Sequence, residues 1–143
     1  MKRISLLIIL LLILTSCASS NTTINDSDSK VISEDDIVRI TNDDTDYEIT
    51  IIEPGFNSWL ASIARPKGYY SQSFMETRNR LFVMNWNNRV LQPQQYNSTL
   101  YEMQINYDSN TNYGYDVNYK LYNYFIYFQL TYKQQLSPFV PRI

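Results

Sequence analysis

A chain of 143 residues with 12 basic and 14 acidic side chains has a formal charge of −2, which leaves no basic footprint for nucleic acid. It contains no histidine and a single cysteine, so imidazole catalysis, His/Cys metal sites and internal disulfides are excluded.

Lys2 and Arg3 open the chain with positive charge, Leu6 to Leu14 follow as an unbroken apolar run, and Leu14-Thr15-Ser16-Cys17 ends on a cysteine. The apolar run is too short for the ~20 residues that span a bilayer. The quartet resembles the bacterial lipobox. That resemblance implies an export signal over residues 1–16, cleavage before Cys17, a diacylglyceryl group on its sulfur and an acyl chain such as palmitate on the new amino group. Two or three chains anchor durably, because each buried methylene contributes about 0.8 kcal/mol and one chain alone holds marginally.

Without the signal, 10 basic residues face 14 acidic ones, a charge of −4. Residues 18–46 hold eight of the acids against Lys30 and Arg39. Rich in Ser, Asn, Thr and Asp, this stretch is expected to be a flexible tether, so that residues 17–46 hold the domain off the membrane. The pairs Asp35/Asp36 and Asp43/Asp44 read as solvated linker charges. Acidic residues directly after the lipidated cysteine can route lipoproteins to the cell surface in Bacteroidota. Ala18, Ser19 and Ser20 stand there instead, which points to an outer-membrane anchor facing the periplasm.

Residues 47–136 form the expected globular domain, with 137–143 as a C-terminal tail. Tyr47 to Ile52 is β-branched and aromatic and ends at Glu53-Pro54-Gly55, predicting a strand and a turn. Phe56, Trp59, Leu60 and Ile63 predict a short amphipathic helix stopped by Pro66. Ser73 and Glu76 have capping-box spacing, predicting a helix from there to Leu91 with Met75, Phe82, Val83, Trp86 and Val90 on its apolar face. Tyr101 to Tyr107 alternates and is expected to pair with Tyr47–Ile52. From Asp116 to Gln135, Val117, Leu121, Tyr124, Phe125, Phe128 and Tyr132 lie at helical spacing, predicting a long helix with an aromatic core face. The fold class is α+β: one small domain with a short antiparallel sheet of two or more strands, packed by two longer helices and one short helix.

The segments FNSWL, ETRNRLFVMNWNNR and YGYDVNYKLYNYF, within Tyr47 to about Leu136, resemble an uncharacterised lipoprotein family of flavobacteria and related Bacteroidota, a domain of unknown function. The resemblance implies a lineage and an envelope location. It carries over no catalytic or binding residue.

Chemistry is therefore sought residue by residue. The domain's acids are Glu48, Glu53, Glu76, Glu102, Asp108 and Asp116, among which no acid/base pair stands out, so the domain is expected not to be an enzyme and to need no cofactor. Asp108, Asn110, Asn112 and Asp116 alternate like calcium ligands, but Gly114 comes one place late and Tyr119 stands where the bidentate glutamate belongs. A turn before the last helix, capped by Asn112 or Asp116, explains them better. Thirteen tyrosines suggest wet contacts. Tyr115, Tyr119, Tyr122 and Ile126 fall off the main core face of the last helix, and those tyrosines with Arg78, Arg80 and Arg89 make a candidate interaction surface, with Arg65 and Lys67 nearby in sequence. Packing of that helix on two sides, and a solvated basic face, are the competing readings. Asn79, among apolar positions, is expected to be a satisfied buried amide. The expected role is an envelope accessory that binds another envelope protein; the alternative is a carbohydrate or peptidoglycan module.

Overall fold

The computed structural model describes residues 33–42 and 47–143, and over them the chain is a small single α+β domain. The signal segment, Cys17 and the tether to residue 32 lie outside the described residues, as does the Asp43/Asp44 pair. A 3-10 turn at Glu34–Asp36 leads into strand β1, Ile37–Asn42, which pairs antiparallel with β2, Tyr47–Ile52, in a register running from Ile37 opposite Ile52 to Asn42 opposite Tyr47.

This partner corrects two expectations. Residues 37–42, placed in the tether on their acidic surroundings, form a strand, and Tyr101–Tyr107 forms none. IVRITN is itself a β-branched run, and it puts Val38 and Ile40 on one face, where both are buried against the helices. The backbone of 103–105 is held instead by side chains. Asn87 donates through Nδ2 to Ile105 O at 2.9 Å and accepts Ile105 N at 2.8 Å, and Trp86 Nε1 donates to Met103 O at 2.8 Å. One amide side chain thus answers the extended segment as a neighbouring strand would, so its alternation never becomes a ladder.

Helix α1, Phe56–Ser62, starts at Gly55, whose φ of 82° favours glycine; Tyr127 Oη beside it donates to Pro54 O at 2.8 Å. Helix α2, Gln72–Val90, is capped by Ser71, which accepts Phe74 N at 3.2 Å. The cap sits two residues before the expected Ser73, and Glu76 accepts Gln72 Nε2 at 2.8 Å rather than closing a capping box. Helix α3, Gly114–Thr131, begins where Asn112 Oδ1 accepts Gly114 N at 3.0 Å.

Every residue of α3 from Val117 to Gln129 except Lys120 is buried. α2 packs along one side and β1 and α1 lie on others, so the helix is enclosed rather than two-faced. Its rings meet those of α2, with Trp86 to Phe128 at 4.8 Å and Phe82 to Phe125 at 5.3 Å between centroids, pairs that contribute about 0.5–1.5 kcal/mol beyond their area. Asn123 and Gln129 tolerate burial by donating to the carbonyls of Tyr119 and Phe125. The last residues pack back on the domain: Leu136 and Ser137 are buried, and the Arg78 guanidinium lies 3.5 Å from the Phe139 ring centroid.

Candidate functional site

The tyrosines singled out from the sequence do not form an exposed patch. Tyr119 and Tyr122 keep 7% and 6% of their surface, because α3 is covered on the side assigned to solvent. Tyr119 Oη donates to Arg65 O at 2.8 Å, while half-buried Tyr115 stacks beside Tyr119 and its hydroxyl joins Gly68 N to Tyr70 O. Arg80 donates to Ser109 O, and Arg89 donates to Tyr101 Oη and to Gln135 O. Arg78 stacks between Phe74 and Phe139. Arg78 and Tyr122 do come together, with Phe74 and the tail residue Phe139, around a cavity of about 460 Å³.

The calcium-like segment closes on itself. Asp108 accepts Asn110 N at 2.8 Å, Asn112 accepts both Gly114 N and Gln72 Nε2, and Asp116 pairs with Lys67 at 2.7 Å. Among the described residues no cluster of three acidic, histidine or cysteine side chains could hold a metal. Asn79 is fully buried and donates to Asn118 O and Oδ1, both at 3.1 Å, but its own Oδ1 has no hydrogen-bond partner among the described residues.

The larger concavity lies elsewhere, a groove of about 560 Å³ between β2 and the segment 99–106. Trp86, Tyr124 and Phe128, all buried, form its apolar base, and the half-buried side of Ile49 and Ile51 continues it. Among the described residues Glu48, Glu53 and Glu102 line it, and no lysine or arginine does. Glu53 is 6% exposed and accepts Tyr132 Oη at 2.8 Å. Burial, then the hydrogen bond and charge of Glu53, push the Tyr132 phenol up to about 12, and burial followed by the same charge raises Tyr124. At the far end of β2, Tyr47 packs on Tyr113 at 4.3 Å, and its buried hydroxyl has no partner among the described residues; burial first, then the two neighbouring phenols, raises it.

The hydrogen-bond register shows which way β2 faces. Glu53 N donates to Asp36 O at 2.7 Å, so by antiparallel alternation the bonded pairs are Val38/Ile51, Ile40/Ile49 and Asn42/Tyr47. Glu48, Thr50 and Ile52 therefore turn their N–H and C=O groups away from β1. On the opposite wall, Ile105 directs both its backbone groups toward α2, so Gln104 and Asn106 on either side of it turn theirs the other way, and both line the groove together with Glu102.

The sequence signals for this site were present but scattered: Glu48 and Glu102 read as outward strand positions, and Glu53 as part of a turn. Only their convergence on one groove was hidden.

A family model matches residues 5–140. The chain belongs to the family of unknown function DUF6146. No curated protein and no solved structure matches this DUF6146 chain.

Proposed function

We propose that the chain is a lipid-anchored protein of the bacterial envelope, held to the outer membrane through Cys17 and facing the periplasm, whose domain is a non-enzymatic module that binds another envelope protein. The Leu14–Cys17 lipobox supports the anchor, and the resemblance to flavobacterial lipoproteins supports the compartment. The observation that carries the binding role is the groove beside β2, with its apolar base and glutamate walls. Its volume lies within the ~300–1,000 Å³ range of binding clefts. Glu53 is engaged by Tyr132, while Glu48 and Glu102 are exposed, the pattern of a recognition rim around an apolar base.

A carbohydrate or peptidoglycan module is the second reading, favoured by the cavity where Arg78 and Tyr122 meet. The test is a photo-crosslinking residue at Met103, which is 70% exposed on the groove wall, in intact cells. One envelope protein crosslinked there, and not from a control position on exposed Lys133, supports the role. Glycan recovered in its place sinks it. Separately, Cys17→Ser is expected to abolish labelling by an alkynyl fatty acid and release the protein from membranes; retained labelling would remove the anchor.

A further inference from the structure

We propose that the groove accepts an extended segment of a partner protein as a third strand on the outer edge of β2, and that this segment alternates apolar residues with lysine or arginine. The inference rests on the protein-binding reading above and specifies what occupies the site.

The two edges of the hairpin are covered unequally. β1 directs the carbonyls of Ile37 and Arg39 outward, and both are met: Asn57 Nδ2 donates to Ile37 O at 3.2 Å and Lys120 Nζ donates to Arg39 O at 3.1 Å. These contacts independently support the register, since Ile37 and Arg39 are the residues the alternation turns outward on β1. On β2 the outward residues are Glu48, Thr50 and Ile52, whose backbone groups have no hydrogen-bond partner among the described residues. Such an edge is a template for another strand.

What borders that edge favours a strand over other shapes. Behind it lies the apolar base of Trp86, Tyr124 and Phe128, which would take the inward side chains of an incoming strand at every second position. Across the groove Gln104 and Asn106, flanking Ile105, offer backbone groups to its far edge.

Charge selects the occupant. The exposed Glu48 and Glu102 line the groove, and among the described residues its walls hold no lysine or arginine, which favours lysine or arginine on the incoming strand. A second copy of this chain, pairing through the same edge, would bring the glutamates of two β2 strands together, and like charges across strands are destabilising.

The decisive variant is Thr50→Pro. The Thr50 N–H points away from β1, so proline there breaks no backbone bond of the hairpin, loses only the exposed Thr50 Oγ1 to Glu48 contact, removes a donor from the free edge and blocks close pairing. The full-length chain in detergent micelles is used to select from a displayed library of short random peptides. The expected consensus alternates apolar and polar positions and is enriched in Lys or Arg. On binding, the Thr50 and Ile52 amides should exchange more slowly, and Thr50→Pro should weaken binding about tenfold or more, roughly the loss of one hydrogen bond. The double variant Glu48→Lys/Glu102→Lys, altering two exposed side chains, should reverse the charge preference even if the proline variant fails to fold.

Peptides that bind Thr50→Pro as well as the parent, or a consensus without alternation, overturn strand addition while leaving protein binding intact. Protection of those amides in the free chain at every dilution assigns the edge to the chain itself, and dimerisation lost in Thr50→Pro assigns it to a second copy; either overturns the proposal. If no peptide is enriched, strand addition fails, and if an oligosaccharide panel binds in its place the protein-binding reading fails with it.

Discussion

At the outer edge of β1, Asn57 and Lys120 reach the carbonyls of Ile37 and Arg39, whereas the outer edge of β2 meets no hydrogen-bonding group among the described residues and borders a groove. The same hairpin thus has one edge with two carbonyls met by helix side chains and one left beside an apolar base. The difference follows from where the helices run. α1 and α3 lie against the β1 side, within reach of a long polar side chain, while on the β2 side the neighbour is an irregular segment already committed to Asn87 and Trp86. A protein can cover part of one edge locally and leave the other for a partner, and the helix-covered side supplies the rigidity that holds the open side in shape.

Alkali should break both sides together and is the largest effect expected. The phenols of Tyr47, Tyr107, Tyr122, Tyr124 and Tyr132 are all raised above their ordinary value, chiefly by burial, with Tyr107 and Tyr132 pushed up to about 12. The folded chain therefore keeps protons that the unfolded chain loses near pH 10, so the contribution is whole below pH 10 and is lost as pH rises toward 12. Phenolate absorbance and circular dichroism should change together in that window. Phenolate formation near pH 10 with the fold intact would mean these rings are not enclosed.

Next in size is the core of the helix-covered side. Phe125 is fully buried and packs on Phe82 and Trp86, so Phe125→Ala should lose about 3–5 kcal/mol in urea unfolding. A loss under 1 kcal/mol would deny α3 its central place.

Two smaller changes separate the side-chain support of the two edges. Asn87→Ala leaves the Ile105 N–H and C=O without their partner and should cost about 1–3 kcal/mol while speeding exchange of the Ile105 amide. Lys120→Met opens only one contact on the β1 edge and should cost about 1 kcal/mol or less, with the groove unaffected. Equal effects of the two on peptide binding would erase the distinction between the edges.

The helices were legible because their signals are local. The Phe56 stripe, the apolar face from Met75 to Trp86 and the aromatic run from Val117 to Phe128 all repeat within a few turns, and α1, α2 and α3 lie where that periodicity places them. The cap slipped from Ser73 to Ser71 because both serines suit the role and only the path of the chain before the helix separates them. β1 was hidden by its neighbours, since acidic composition averaged over residues 18–46 outweighed six β-forming positions. Tyr101–Tyr107 carried a strand pattern with no strand to answer it.

By itself, the sequence determined the α+β class, the three helices and the absence of imidazole chemistry, because those depend on residue type and on spacing along one element. Tertiary structure alone decided that Tyr119 and Tyr122 are enclosed, that Glu48, Glu53 and Glu102 converge on one groove, and that β2 rather than β1 keeps an open edge. Enclosure and convergence depend on elements distant in sequence, and an open edge depends on which side chains arrive there. No local pattern in either strand encodes that arrival.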